Sequence, residues 1–328
     1  MKAMSISVSF AILMHMTFFK PLKKNDQITV IAPSRPILHL QKDIQKSMAR
    51  LKKEGFRLIM GRNIHKKNFY AAGTVQERID DFQNAFNDSK TRLVLCATGG
   101  SSSNQLLGEI DFTDIKKYPK LLVGYSDNTT LLLAMYSQTG MAVFHGPDMA
   151  EYFHLNTKAK KCFLEILGGK IRKYNYPKKM NVIRSGTADG ILLGGNLTSF
   201  IALLGTKYSP DYKNAVLFWE EVGESPAAIH FKLQQFKLSG HMKHLAGMII
   251  GHLSEYEDKK YPEDFRKIDD IILEVAGEYT FPIIKVDYFG HNIDDFLTFP
   301  IGAKTHIDTQ KFLFTVENPV NKKISHES

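Results

Sequence analysis

Cysteine is nearly absent from this chain. Two occur in 328 residues, Cys96 and Cys162, and no C-x-x-C pair exists. That argues for reduced thiols and against a zinc or dithiol motif. Cys96 falls in the apolar run 93–97, where a buried, inert thiol is the default. Metal-ligating patterns are missing as well. The twelve histidines are dispersed, and His241 and His244 stand three apart without the H-E-x-x-H of a zinc helix. The sequence therefore predicts no metal and no cofactor. It has no run of eighteen or more apolar residues, so no membrane-spanning helix is expected. It also shows no internal repeat and no low-complexity tract.

What is present looks like an ordinary globular protein. The chain is 43% hydrophobic and 23% charged, and long enough for two domains or one large α/β domain. Its net charge is +9, but the basic residues are scattered. Short groups such as Lys158, Lys160 and Lys161, or Lys178 and Lys179, lack interleaved aromatics. They read as solvated surface with a mild attraction for anionic ligands or cell-wall polymer, and no nucleic-acid groove is expected. Residues 6–19 are apolar after Lys2, but Ser7, Ser9 and His15 interrupt them and no A-x-A site follows. Three readings compete for this stretch: a start placed too far upstream, a weak signal sequence, or a short extra strand.

From residue 27 onward, strand and helix signals alternate. Strands are predicted at 27–32, 57–60, 92–97, 121–123 and 141–144, and helices at 38–54 and 74–87, with a further helix after Ser126. The second helix opens on a capping box, Thr74 with Glu77 three residues on. Repeated β-α-β order implies a mostly parallel, doubly wound sheet covered by helices, with chemistry in the loops after the carboxyl ends of strands. Composition turns polar and basic at 170–189, which is read as a linker. The expected organisation is an N-terminal α/β domain over 17–169 and a smaller C-terminal α/β domain over 190–320, with the active site between them.

One turn is built to present a serine. Leu121-Leu122-Val123 reads as a buried strand, Asp127-Asn128-Thr129 offers helix-capping side chains, and 130–135 is apolar and helix-forming. Ser126 therefore falls on a tight strand-to-helix turn, where Oγ projects and N–H groups at the helix start face an oxyanion. The usual elbow is G-x-S-x-G, and Asn128 stands where its second glycine would be. A serine capping an ordinary helix has the same local sequence. A nucleophilic serine needs a base and a group to orient it. The strand 216–219 runs into Glu220, and the strand 282–286 is followed by Gly290-His291. Ser126, Glu220 and His291 form an allowed set, although 34 acidic residues compete for the third role.

Six segments in order resemble the LD-carboxypeptidase family, whose other branch is the microcin C self-immunity peptidases. They are Ile31-Ala32-Pro33-Ser34, Thr98-Gly99-Gly100-Ser101-Ser102-Ser103-Asn104, Gly124-Tyr125-Ser126-Asp127-Asn128-Thr129, Gly194-Gly195-Asn196-Leu197, Glu220-Glu221-Val222-Gly223-Glu224, and Gly290-His291 with 297–302. The resemblance covers about residues 20–310. It implies a serine peptidase with Ser126 as nucleophile, Glu220 rather than Glu221 as the orienting carboxylate, and His291 as base. It also implies an oxyanion hole from the N–H groups of Gly100 and Asp127, with Gly99, Ser101 and Asn104 near the substrate.

The implied activity is release of terminal D-Ala from murein tetrapeptides, across an L-to-D bond, by a homodimer in the cytoplasm. The alternative substrate is a peptidyl or aminoacyl nucleotide antibiotic. Many LD-carboxypeptidases have an arginine before the Gly-Gly pair, where this chain has Thr98; that loop is nearer the immunity branch. The immunity branch, however, carries a longer, nucleotide-stacking segment between nucleophile and glutamate. A non-catalytic peptide-binding protein is disfavoured because all three triad residues are present. As no ligand cluster is visible, peptidase activity should survive exhaustive treatment with EDTA or phenanthroline. Loss that zinc restores would reveal a missed metal site.

Overall fold

The computed structural model describes residues 19–171, 173–175, 180–257 and 261–320. The stretch 1–18, with its three competing readings, lies outside the described residues. In the first half the strands are β1 (Gln27–Ile31), β2 (Arg57–Met60), β3 (Thr91–Cys96), β4 (Leu121–Gly124) and β5 (Val143–His145). They alternate with α1 (Gln41–Lys53), α2 (Val75–Asn87), α3 (Phe112–Lys117) and α4 (Thr129–Thr139), and α5 (Thr157–Leu167) follows. Each helix returns the chain to the same end of the sheet, so the five strands pair in parallel, in the order β5-β4-β3-β1-β2. Their near-continuous apolar runs follow from helices on both faces: β1 and β4 are buried along their whole length. The capping box forms as read, with the Glu77 N–H donating to Thr74 Oγ1 at 3.2 Å and the Thr74 N–H donating to Glu77 Oε2 at 2.8 Å.

The second half builds another sheet. The strands of this half are β6 (Lys173–Asn175), β7 (Asn181–Arg184), β8 (Thr187–Asn196), β9 (Ala215–Val222), β10 (Gly247–Ser254), β11 (Ile283–Lys285), β12 (Phe299–Ile301), β13 (Lys304–Asp308) and β14 (Leu313–Glu317), and all but β12 join that sheet. The helices are α6 (Leu197–Ile201), α7 (Pro226–Leu238) and α8 (Ile268–Val275). The sheet order is β6-β14-β13-β8-β9-β10-β11-β7, with a parallel centre from β8 to β11 and antiparallel flanks. Residues 170–189, expected as a linker, supply the two edge strands β6 and β7. Strands this short carry little periodicity for a sequence reading to detect.

Two departures from the sequence reading matter for the site. First, β9 continues to Val222, because β8 and β10 flank it that far: Asn196 pairs with Glu220 and Leu253 with Glu221. The two glutamates therefore lie inside the strand and not after it. Second, β12 leaves its own half and pairs antiparallel with β5 in the first sheet. Its Phe299 packs against Phe218 of β9 and against Phe289, with ring centroids 5.6 and 4.8 Å away. The halves share one continuous apolar core.

They also meet where α4 begins. The Asn196 N–H donates to Thr129 Oγ1 at 3.0 Å, and Gly195 lies directly against that side chain. A Cβ on Gly195 would stand 2.5 Å from Thr129 Oγ1 and 2.6 Å from Cγ2, on a backbone with φ of +142°. Gly195→Ala should therefore destabilise the protein by about 2–3 kcal/mol. Urea unfolding measures this; a midpoint equal to wild type would mean that the junction yields.

Candidate active site

Ser126 sits in strained backbone. Tyr125 is extended, Ser126 has φ of +59°, and a 3₁₀ turn over 126–128 leads into α4. A non-glycine residue at positive φ costs energy and persists only where its surroundings fix it. Here the Asn128 side-chain amide donates to Tyr125 O at 3.2 Å and to Thr98 O at 3.1 Å. Asn128, the residue that breaks the usual elbow pattern, thus ties the turn to the loop after β3. That loop must be glycine where it meets the serine: a Cβ on Gly99 would be 2.7 Å from Ser126 Cβ and 2.8 Å from Oγ.

His291 lies on the crossing between β11 and β12. Its Nε2 is 3.0 Å from Ser126 Oγ, and its Nδ1 is 2.7 Å from Glu220 Oε2. Gly290 gives the chain room to turn, at φ of +131° against His252 O. Beyond the imidazole, Asn292 donates to Ser254 Oγ at 2.6 Å. The Tyr125 ring packs 4.9 Å from the imidazole, and Phe296 packs 5.1 Å from Tyr125. Glu221 points the other way, as alternation along a strand requires. It accepts from Asn196 Nδ2 at 2.8 Å and from the Thr198 N–H at 2.9 Å, at the start of α6.

Glu220 is wholly buried, and His291 is 15% exposed at its side chain. Burial pushes the Glu220 carboxyl up, yet the adjacent imidazole holds it below the usual range. Burial likewise opposes charge on His291, but the Glu220 carboxylate, with Glu221 and Asp148 farther off, raises it above the ordinary histidine value. An imidazole so held favours taking a proton from the hydroxyl it faces.

The loop after β3 and the turn after β4 are locked together by the carboxylate of Asp127, which bonds to that loop and does not cap α4, the role its place before the helix predicts. Asp127 Oδ2 accepts from Ser34 Oγ at 2.5 Å and from the N–H groups of Ser102 and Ser103, each at 2.8 Å. Arg78, buried beneath them, donates to Pro33 O at 2.8 Å, Ser102 O at 2.9 Å and Gln105 Oε1 at 2.6 Å. Gly100, at φ of +154°, folds against Ser34 and Arg35, and the Asp127 N–H faces the Gly99 side of the same loop. Ser101 and Asn104 are exposed.

Ser34 lay in a motif already singled out, but nothing in the sequence tied it to Asp127. Arg78 gave no signal beyond its place on a helix. His145 is fully buried, with both ring nitrogens unpartnered; burial pushes it down to about 4, so it stays neutral among Phe218, Phe289 and Phe296. Among the described residues there is no cluster of His, Cys, Asp and Glu that could hold a metal, and no helix is long and apolar enough to cross a membrane.

Comparison with known proteins shows what the chain is similar to. Residues 28–146 match the model of the LD-carboxypeptidase N-terminal domain, and residues 189–307 that of the LD-carboxypeptidase C-terminal domain. A probable murein peptide carboxypeptidase of Bacillus subtilis is 30% identical over 316 residues, covering 92% of this chain and 95% of that protein. The microcin C7 self-immunity protein of Escherichia coli is 27% identical over 326 residues, covering 90% and 94%. The crystal structure of a muramoyltetrapeptide carboxypeptidase from Oxalobacter formigenes superposes with a TM-score of 0.78 at 25% identity, covering 88% and 97%.

The charge coupling of His291 is open to direct measurement. Its ring should titrate above 6.5, the ordinary histidine value. Glu220→Gln removes the dominant raising influence and leaves burial, so the midpoint should drop below that of wild type. Histidine ring resonances followed by NMR across pH 5–9 report this, and an unshifted midpoint would deny the coupling.

Proposed function

Because the chain belongs to the LD-carboxypeptidase family, and is a peptidase, we propose that it is a serine-type LD-carboxypeptidase releasing terminal D-Ala from murein tetrapeptides. The observation that carries this reading is the unbroken line from Ser126 Oγ through the His291 imidazole to Glu220, 3.0 and 2.7 Å long. Ser126 Oγ attacks the carbonyl of the L-to-D bond while His291 Nε2 takes its proton. Glu220 holds the imidazole by Nδ1 and stabilises the imidazolium. The N–H groups of Gly100 and Asp127 receive the developing oxyanion, each worth a few kcal/mol in sites of this kind. His291 then protonates the departing D-Ala amine, and water resolves the acyl-enzyme by the same steps in reverse.

The substrate class follows from loop lengths. Only 94 residues separate Ser126 from Glu220, and the single tryptophan of the chain, Trp219, is buried beside the glutamate. That leaves the interval without an exposed indole on which a nucleobase would stack. A homodimer acting in the cytoplasm is carried with the same reading. Ser126→Ala should keep the fold by circular dichroism and reduce kcat by about 10⁴-fold or more. The wild type should show higher kcat/KM for release of D-Ala from L-Ala-γ-D-Glu-diaminopimelate-D-Ala than for hydrolysis of aspartyl-sulfamoyl adenosine. Retained turnover in the variant would remove Ser126 as nucleophile. The opposite substrate order would make the protein an antibiotic-conjugate peptidase.

A further inference from the structure

A carboxypeptidase of the proposed kind faces an electrostatic problem at its own site. Its substrate arrives with a C-terminal carboxylate, and a murein tetrapeptide adds others. Around the Ser126–His291 pair the protein presents buried Glu220, Glu221, Asp127 and Asp148. Burial pushes Asp148 up to about 8, and Glu151 nearby adds to that, so the neighbourhood already resists further negative charge. Arg78 does not relieve it. Its guanidinium is buried under the loop and its N–H groups are committed to Pro33, Ser102 and Gln105.

Arg35 is placed differently. Its backbone N–H donates at 3.3 Å to the carbonyl of Gly99, the residue on which a Cβ would stand 2.8 Å from Ser126 Oγ. A Cβ on Gly100 would stand 2.9 Å from Arg35 Cβ, so the side chain starts at the proposed oxyanion loop itself. Its Nε donates to Thr98 Oγ1 at 3.2 Å, and Thr98 is buried and fixed through its carbonyl to Asn128. One edge of the guanidinium is thus anchored. The residue is exposed, and its two terminal nitrogens make no hydrogen bond to the described residues. Arg35 and His291 also bias the same buried carboxylate, Asp148, toward its charged form, which puts both within one electrostatic site.

We propose that Arg35 is a specificity-determining residue that binds a carboxylate of the substrate through its free terminal nitrogens, at the rim of the Gly99-Gly100 loop. This rests on the proposed carboxypeptidase reading. A guanidinium held by Nε and open at its terminal nitrogens matches a planar carboxylate in a way that an ammonium does not. The carboxylate comes from one of two sources, the terminal D-Ala or the side group of the diamino acid, and substrate variants separate them.

The test compares wild type, Arg35→Gln and Arg35→Lys on three peptides: L-Ala-γ-D-Glu-diaminopimelate-D-Ala, its C-terminal amide, and the analogue with lysine for diaminopimelate. On the parent peptide Arg35→Gln should lower kcat/KM by about 10- to 100-fold, the usual weight of a hydrogen bond to a charged group. On the peptide that lacks the recognised carboxylate, the same variant should lower it less than about 3-fold. Arg35→Lys should recover part of the loss. The reaction rate of Ser126 with the uncharged probe diisopropyl fluorophosphate should stay near wild type, which separates recognition from damage to the nucleophile. If the lost preference is for acid over amide, the source is the terminal carboxylate; if it is for diaminopimelate over lysine, the source is the side group. Equal loss on all three peptides, or no loss, overturns the assignment while leaving the carboxypeptidase reading intact. A wild type that cleaves none of the three overturns both.

Discussion

A carboxylate with no exposed surface lies at the centre of this molecule, and the arrangement around it follows from the need to keep it charged. Glu220 sits inside β9, flanked by parallel strands on both sides, where an unpaired charge would cost several kcal/mol. Its partner is the imidazole of His291, 2.7 Å away. To bring that imidazole in, the chain leaves β11, turns at Gly290, and continues into β12, which joins the other sheet. The crossing is fastened by apolar contacts: Phe289 and Phe299 against Phe218, and Phe296 against Tyr125 and His145. The same segment therefore closes the core, joins the halves and places the His291 imidazole between Glu220 and Ser126.

The serine comes from the opposite side, at a different kind of cost. Its positive φ is a local strain that the first sheet alone does not remove. The turn is fixed by Asn128 reaching Thr98, by Asp127 gathering three donors from Ser34, Ser102 and Ser103, and by the close approach of Gly99. Behind these, Arg78 satisfies carbonyls that the loop leaves without partners. Support of this kind fixes an exposed loop and its backbone N–H groups in one arrangement beside Ser126. It also gives Arg35 a fixed base from which to reach a substrate.

Much of this was legible from residues alone, for identifiable reasons. The first sheet is legible because most of its strands are apolar runs separated by helical stretches, two of them capped by Thr74 and Asp111, and period and capping are local properties. The turn at Ser126 is legible because a buried strand, a serine and an apolar helix-forming run follow in immediate succession; the side chains expected to cap that helix instead bind the loop after β3. Neighbouring residues on β9 face opposite sides, so Glu220 meets His291 while Glu221 meets Asn196 and Thr198, as strand alternation requires. The end of β9 around the two glutamates is not legible in the sequence, because the pairing that extends it comes from β8 and β10. The edge strands β6 and β7 are three and four residues long, too short to carry a period.

The sequence by itself determined the alternating architecture, the lack of metal-ligating and membrane-spanning patterns, and which serine stands on a strand-to-helix turn. Each of these depends on residues within about a dozen positions of one another. Only the tertiary structure decided that β12 crosses to the first sheet, that Asp127 locks two loops through its side chain, and that Ser126, His291 and Glu220 fall within hydrogen-bond reach. Those contacts join residues 71 to 165 positions apart. No local propensity specifies them; they form because a buried charge must find a partner and two apolar sheet faces must share one core.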